Sequence, residues 1–117
     1  MISGAIYRAG SDTCLIAQDS KTSNAWERML GLLRRPPLIA GQGLLIDPCP
    51  SVHTLGMGYA LDIVFLDANY RVLRRMENLA PLRWAACANA RATLELAPGA
   101  LSALNLNVGD LIEWRAV

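Results

Sequence analysis

Residues 49–58, Cys-Pro-Ser-Val-His-Thr-Leu-Gly-Met-Gly, are the densest group of reactive side chains in this 117-residue chain, and they include its one histidine, His53. The Cys-x3-His spacing of Cys49 and His53 invites a metal-ligand reading. On a regular strand, however, residues four apart are about 13 Å from each other, too far for one zinc ion. Chelation therefore requires a turn at Pro50 or Ser51 and a third ligand such as Cys87 or Asp62. The plainer reading makes His53 a hydrogen-bonded structural residue and Cys49 a small hydrophobe. A nucleophile reading uses the same group: Cys49 or Thr54 activated by His53, with Asp62 orienting the imidazole.

Asp62 interrupts Leu61-Asp-Ile-Val-Phe-Leu. Strict alternation puts Leu61, Ile63 and Phe65 on one face and Asp62 beside Val64 and Leu66 on the other. A carboxylate among apolar side chains needs donors or an exposed strand end, because an unpaired buried charge costs several kcal/mol. The candidate donors are Arg28, His53 and the amides of residues 56–58, in an ion pair or a capped turn. Gly41-Gln-Gly43 lacks the Lys-Ser/Thr and the following helix of a phosphate loop. Arg71, Arg74 and Arg75 read as a solvated strand edge that discourages sheet-to-sheet pairing.

The elements that position these groups follow from periodicity. Trp26, Met29, Leu30 and Leu33 form one apolar helical stripe, with Asn24 and Glu27 spaced as a capping box, and Pro36-Pro37 stops the helix near Arg34 or Arg35. Short β-like runs lie at 13–17, 44–46, 51–54, 61–66, 71–76, 93–96 and 111–114, with Gly, Pro, Asn or Asp between them. Residues 67–70 make a hairpin turn in which Asn69 tolerates positive φ. A helical turn over 99–104 precedes the last strand, and Val108-Gly-Asp turns into it. The predicted fold is mainly β: a small antiparallel β-sandwich or barrel with one amphipathic helix packed against it and a short second helical turn, in a single domain, 1–117.

Composition narrows the function classes. Hydrophobic residues make up 53% of the chain, enough for a packed core, and 11 basic against 10 acidic residues leave a net charge of +1. That balance does not favour capture of nucleic acid. No apolar run approaches the roughly 20 residues of a membrane span. The first residues lack a secretory pattern, and three widely spaced cysteines do not form a disulfide framework, so the expected compartment is the cytoplasm. Ten of the eleven cations are arginines, Lys21 being the exception, so a functional cation here is a planar, permanently charged guanidinium.

Taken in order, Trp26-Glu-Arg28-Met-Leu-Gly31-Leu32, Gly41-x-Gly43-Leu-Leu, Ser51-Val-His53-Thr-x-Gly56-Met57, Leu61-Asp62-Ile-Val-Phe-Leu-Asp67, Leu94-Glu95-Leu-x-x-Gly99 and Val108-Gly-Asp110 resemble the bacterial and archaeal family known as domain of unknown function 192, over about 23–114. The resemblance implies a compact, mainly β domain with a flanking helix, and no reaction. Many relatives carry Trp-Met-Lys-Asn-Thr where this chain has His53-Thr-Leu-Gly56-Met57-Gly, which places it in a His-Thr-x-Gly-Met branch. Its matching positions single out Arg28, His53, Thr54, Met57, Asp62 and Glu95 as candidate ligand-binding residues. Arg28, Asp62 and Glu95 read alternatively as a fold-stabilising polar network. The reading that results is a noncatalytic binding or accessory module with a shallow site around 49–62, for a small molecule or a protein partner, with no cofactor, metal or nucleic acid assigned. The alternative is a small hydrolase-like or metal-binding protein that uses His53 with Cys49 or Asp62.

Overall fold

The structure, a computed structural model, is described over residues 1–32, 35–53 and 58–117, with the side chains of residues 52 and 53 left aside. The strands are β1 (Ile2–Arg8), β2 (Cys14–Lys21), β3 (Gln42–Ile46), β4 (Ser51–His53), β5 (Leu61–Leu66), β6 (Val72–Leu79), β7 (Trp84–Ala86), β8 (Ala92–Leu96) and β9 (Ile112–Ala116). Two short helices, α1 (Ala25–Leu30) and α2 (Ala100–Ala103), complete the described elements. Seven strands form one sheet in the order β6-β5-β8-β3-β2-β1-β9, and β4 pairs with β7 in a separate ribbon.

The expected all-antiparallel arrangement is corrected at one pair. Strands β2 and β3 run parallel, with Asp19 opposite Gly43 and Ser20 opposite Leu44. The connection between them carries α1 and spans the long crossover that parallel pairing demands. The sheet also coils until its two edges touch: Arg71 bridges Leu111, Val72 N–H donates to the Asp110 carbonyl at 2.8 Å, and Ile112 N–H donates to the Tyr70 carbonyl at 3.0 Å. The contact is one bridge, so the sheet is not a closed barrel.

Coiling gives the sheet an inner and an outer face, and each has its own core. Inside, Ile6, Ile16, Leu45, Val64, Leu66, Leu94, Leu96 and Ile112 pack with Leu101 of α2. Outside, Leu44, Ile46, Leu61, Ile63 and Phe65 pack with Leu32 and with Ala85 of the ribbon. Strands β5 and β8 are therefore buried on both faces along their whole length, which explains why they read as nearly continuous apolar runs.

Helix α1 differs from the expected amphipathic stripe. Asn24 Oδ1 caps it by accepting from Glu27 N–H at 2.9 Å. The Glu27 carboxylate reaches back one residue further than a capping box requires, to Ser23 N and Oγ, both at 2.8 Å, and it also takes the Met1 ammonium. Gly31, at φ 54°, then ends the helix after less than two turns. With the helix cut short, Trp26 and Met29 stay 64% and 62% exposed, and burial passes to Leu32 beyond the stop; Leu33 lies outside the described residues. The 67–70 turn also differs, since Tyr70 rather than Asn69 holds the positive φ, at 65°. The Asp67 carboxylate fixes that turn by accepting from Asn69 N–H at 2.8 Å and Arg71 N–H at 2.9 Å.

Two glycines allow the inner face to close. A Cβ on Gly4 would stand 2.6 Å from the Arg115 carbonyl oxygen and from the Trp114 ring, and one on Gly43 would stand 2.6 Å from Asp19 Oδ1 and 3.0 Å from Leu96. The backbone oxygen facing Gly4 cannot yield as the Asp19 side chain can. Gly4→Ala is therefore expected to lower stability by roughly 2–4 kcal/mol and Gly43→Ala by less, about 1–2 kcal/mol, in urea unfolding.

Candidate functional site

The three charged candidates whose side chains are described divide between the two faces. Asp62 points inward and is fully buried. Its Oδ1 accepts from Asn78 N–H and its Oδ2 from Leu101 N–H, both at 2.9 Å. The carboxylate thus ties β5 to an irregular residue of β6, Asn78 at φ 54°, and to the first turn of α2. Backbone amides, not Arg28, are its donors among the described residues. Asp62→Ala should cost roughly 3–5 kcal/mol in chemical denaturation by stranding both amides, and Asp62→Asn less, since one acceptor oxygen survives.

Glu95 and Arg28 belong to the outer side. Alternation along β8 turns Thr93 and Glu95 away from the inner core that Leu94 and Leu96 enter. Glu95 lies between its cross-strand neighbours Leu44 and Ile63, and burial pushes its carboxyl up to about 7. Thr93 Oγ1 donates to the Cys49 carbonyl at 2.7 Å, which seats Cys49 over the same face. The Cys49 thiol donates to the Ser51 carbonyl at 2.8 Å. Burial raises its pKa, the Glu95 charge raises it further, and the Arg28 guanidinium draws it back. Tyr59 completes the group. Its phenol is raised by burial and by Glu95 and drawn back by the Leu38 backbone, and its buried hydroxyl makes no other hydrogen bond among the described residues.

Arg28, Cys49, Tyr59 and Glu95 therefore share one electrostatic neighbourhood, supplied by α1, β8 and the stretches on either side of β4. Of His53, the backbone is placed, opposite Trp84 in the ribbon, while its side chain, Thr54 and Met57 lie outside the described residues. Chemically the neighbourhood offers a protonatable carboxyl in an apolar setting, a neutral thiol, a phenol and a guanidinium: donors and acceptors suited to holding a polar group out of water.

Two groups escaped the sequence reading. Tyr59 had only its position beside Gly58 to distinguish it. Asp19 was hidden by a β-bulge: β1 pairs Gly4 with Asp19 but Ile6 with Ile16, so Asp19 shares the inner face with Ile16 against simple alternation. Burial raises its carboxyl to about 7, with Trp114 drawing it down. Beyond this interaction with each other, neither carboxylate oxygen nor the Trp114 indole nitrogen has a hydrogen-bond partner among the described residues.

The two raised carboxyls set a pH dependence. Each binds its proton more tightly folded than unfolded, so its contribution is fully present below the ordinary carboxyl range and is lost as pH rises toward 7. Unfolding free energy should fall between about pH 4 and 7, by about 3 kcal/mol from Glu95 alone, given a pKa of about 7 against 4.5. Glu95→Gln and Asp19→Asn should each flatten that slope in urea titrations at stepped pH.

The family model described as Uncharacterized ACR, DUF192, matches residues 15–114. Two crystal structures share the fold. A protein of unknown function from Novosphingobium aromaticivorans DSM 12444 is 22% identical, with a TM-score of 0.78 over 96% of this chain and 84% of that one. A protein from Sinorhizobium meliloti 1021, provisionally named a transcription regulator, is 20% identical, with a TM-score of 0.79 over 97% of this chain and 92% of that one. At these identities the likeness is one of fold. No curated protein matches the chain.

Proposed function

We propose, from the premise that the chain belongs to the DUF192 family, that it is a noncatalytic binding module whose ligand is taken on the outer face of β8, beside Cys49 and Tyr59. One observation carries this reading: the Glu95 carboxyl is buried between Leu44 and Ile63 on the face where Cys49 and Tyr59 pack, without an ion-pair partner among the described residues, and the Arg28 charge reaches the Cys49 thiol. A fold has no need to place an ionisable group between Leu44 and Ile63, because an apolar side chain of similar volume would pack there without desolvation cost. A ligand that hydrogen-bonds to the carboxyl supplies the reason. The hydrolase-like or metal-binding alternative uses His53 with Cys49 or Asp62, and the Asp62 oxygens are engaged by amides on the inner face, which leaves Cys49 for that role.

The test is a fragment screen read by amide chemical shifts. Fragments should cluster their shifts on Cys49, Tyr59 and Glu95. Glu95→Gln and Tyr59→Phe should each weaken binding about tenfold while leaving the spectrum folded. Fragments that ignore this face, or affinities indifferent to both substitutions, would reject the reading. Turnover of an ester, peptide or glycoside that disappears in His53→Ala would replace it with the enzyme alternative.

A further inference from the structure

A concavity lies on the outer face, toward the β1 side of the sheet. Its volume is about 580 Å³, within the range of small-molecule sites. The floor is formed where β1, β2 and β3 turn polar side chains outward. Ser3 stands opposite Ser20 and Gln18 opposite Gln42, and all four line the cleft. Gln42 is held in place, with its Oε1 accepting from Ile39 N–H at 3.2 Å and its Nε2 donating to Gln18 Oε1 at 3.5 Å. That second bond occupies the Gln18 oxygen and leaves the Gln18 amide hydrogens available to an incoming acceptor.

The wall differs from the floor. Leu32 and Leu38 supply apolar surface, and Arg35 stands among them. Arg35 is exposed, and its guanidinium has no carboxylate partner among the described residues. Asp19 borders the cleft but turns its side chain to the inner face, where its oxygen lies against the position a Gly43 Cβ would take. The side-chain charge offered to a ligand here is therefore a guanidinium, whose fork matches a carboxylate.

We propose that this cleft binds a small amphipathic carboxylate bearing an amide: the carboxylate at Arg35, a short apolar chain against Leu32 and Leu38, and the amide carbonyl on Gln18. The proposal uses other polar groups than the site around Glu95, although Leu38 and Leu44 border both. N-acetylleucine has the required groups, and N-acetylleucinamide is the same molecule without the charge. In an amide-shift titration of the full chain, N-acetylleucine should give saturable shifts at Ser3, Gln18 and Gln42, with the amide at least about tenfold weaker. Arg35→Gln should lose a similar factor, and Ser3→Phe, which fills the floor, should abolish binding with the folded spectrum retained. Glu95→Gln should leave the titration unchanged. Absence of saturable shifts, equal affinity for the neutral analogue, indifference to Arg35→Gln or Ser3→Phe, or loss of binding in Glu95→Gln would each overturn the assignment.

Discussion

Burial of β5 and β8 on both faces is the constraint from which the rest of this structure follows. Once a strand has no solvent side, each polar side chain on it must find a partner within the protein, take up a proton, or meet a ligand. Asp62 takes the first course, with one backbone amide for each oxygen. Thr93 does likewise through the Cys49 carbonyl. Glu95 takes the second, since its surroundings hold its pKa near 7. The same double burial separates the candidate residues, because neighbours in sequence on such a strand point into different cores.

The inner core depends on this separation too. Coiling the sheet brings β9 across β1 and places Trp114 beside Asp19, and only glycine at 4 and 43 leaves room for the two side chains. Lys21 lies over the Trp114 ring, 5.1 Å from its centre, a cation held against the indole face. Relatives at 20% and 22% identity reach the same fold, as expected where patterning and core volume determine architecture more than individual residues do.

Much of the architecture was legible because period-2 alternation survives in single-residue detail: Leu61, Ile63 and Phe65 do part from Asp62, Val64 and Leu66. The capped start of α1 and the Val108-Gly-Asp turn were legible for the same reason, each being a local backbone requirement. What local pattern could not carry were the non-local features. The parallel β2–β3 pair depends on where a crossover lands, and the bulge that turns Asp19 inward depends on the partner strand. Strand β1 contains Gly4, whose fitness for a strand comes from the bulk of the Trp114 ring packed against it. In the candidate site, Arg28 stood out as a candidate partner for Asp62, and Glu95 only through the family resemblance, whereas Tyr59 became distinctive only when its hydroxyl was found buried.

Strand β1 is hydrogen-bonded to β9, pairing Gly4 with Ala116 and Arg8 with Ile112. This register has a consequence for synthesis. Strand β1 leaves the ribosome about a hundred residues before β9, its second neighbour, so the inner core stays open along one side until β9 emerges. During that interval Ile6 and Ile16 are without the Ile112 that covers them. Closure then joins segments about a hundred residues apart, a contact order that slows folding and lengthens exposure of apolar surface to chaperones and aggregation. A nascent chain of this topology has its weakest moment just before its last strand emerges.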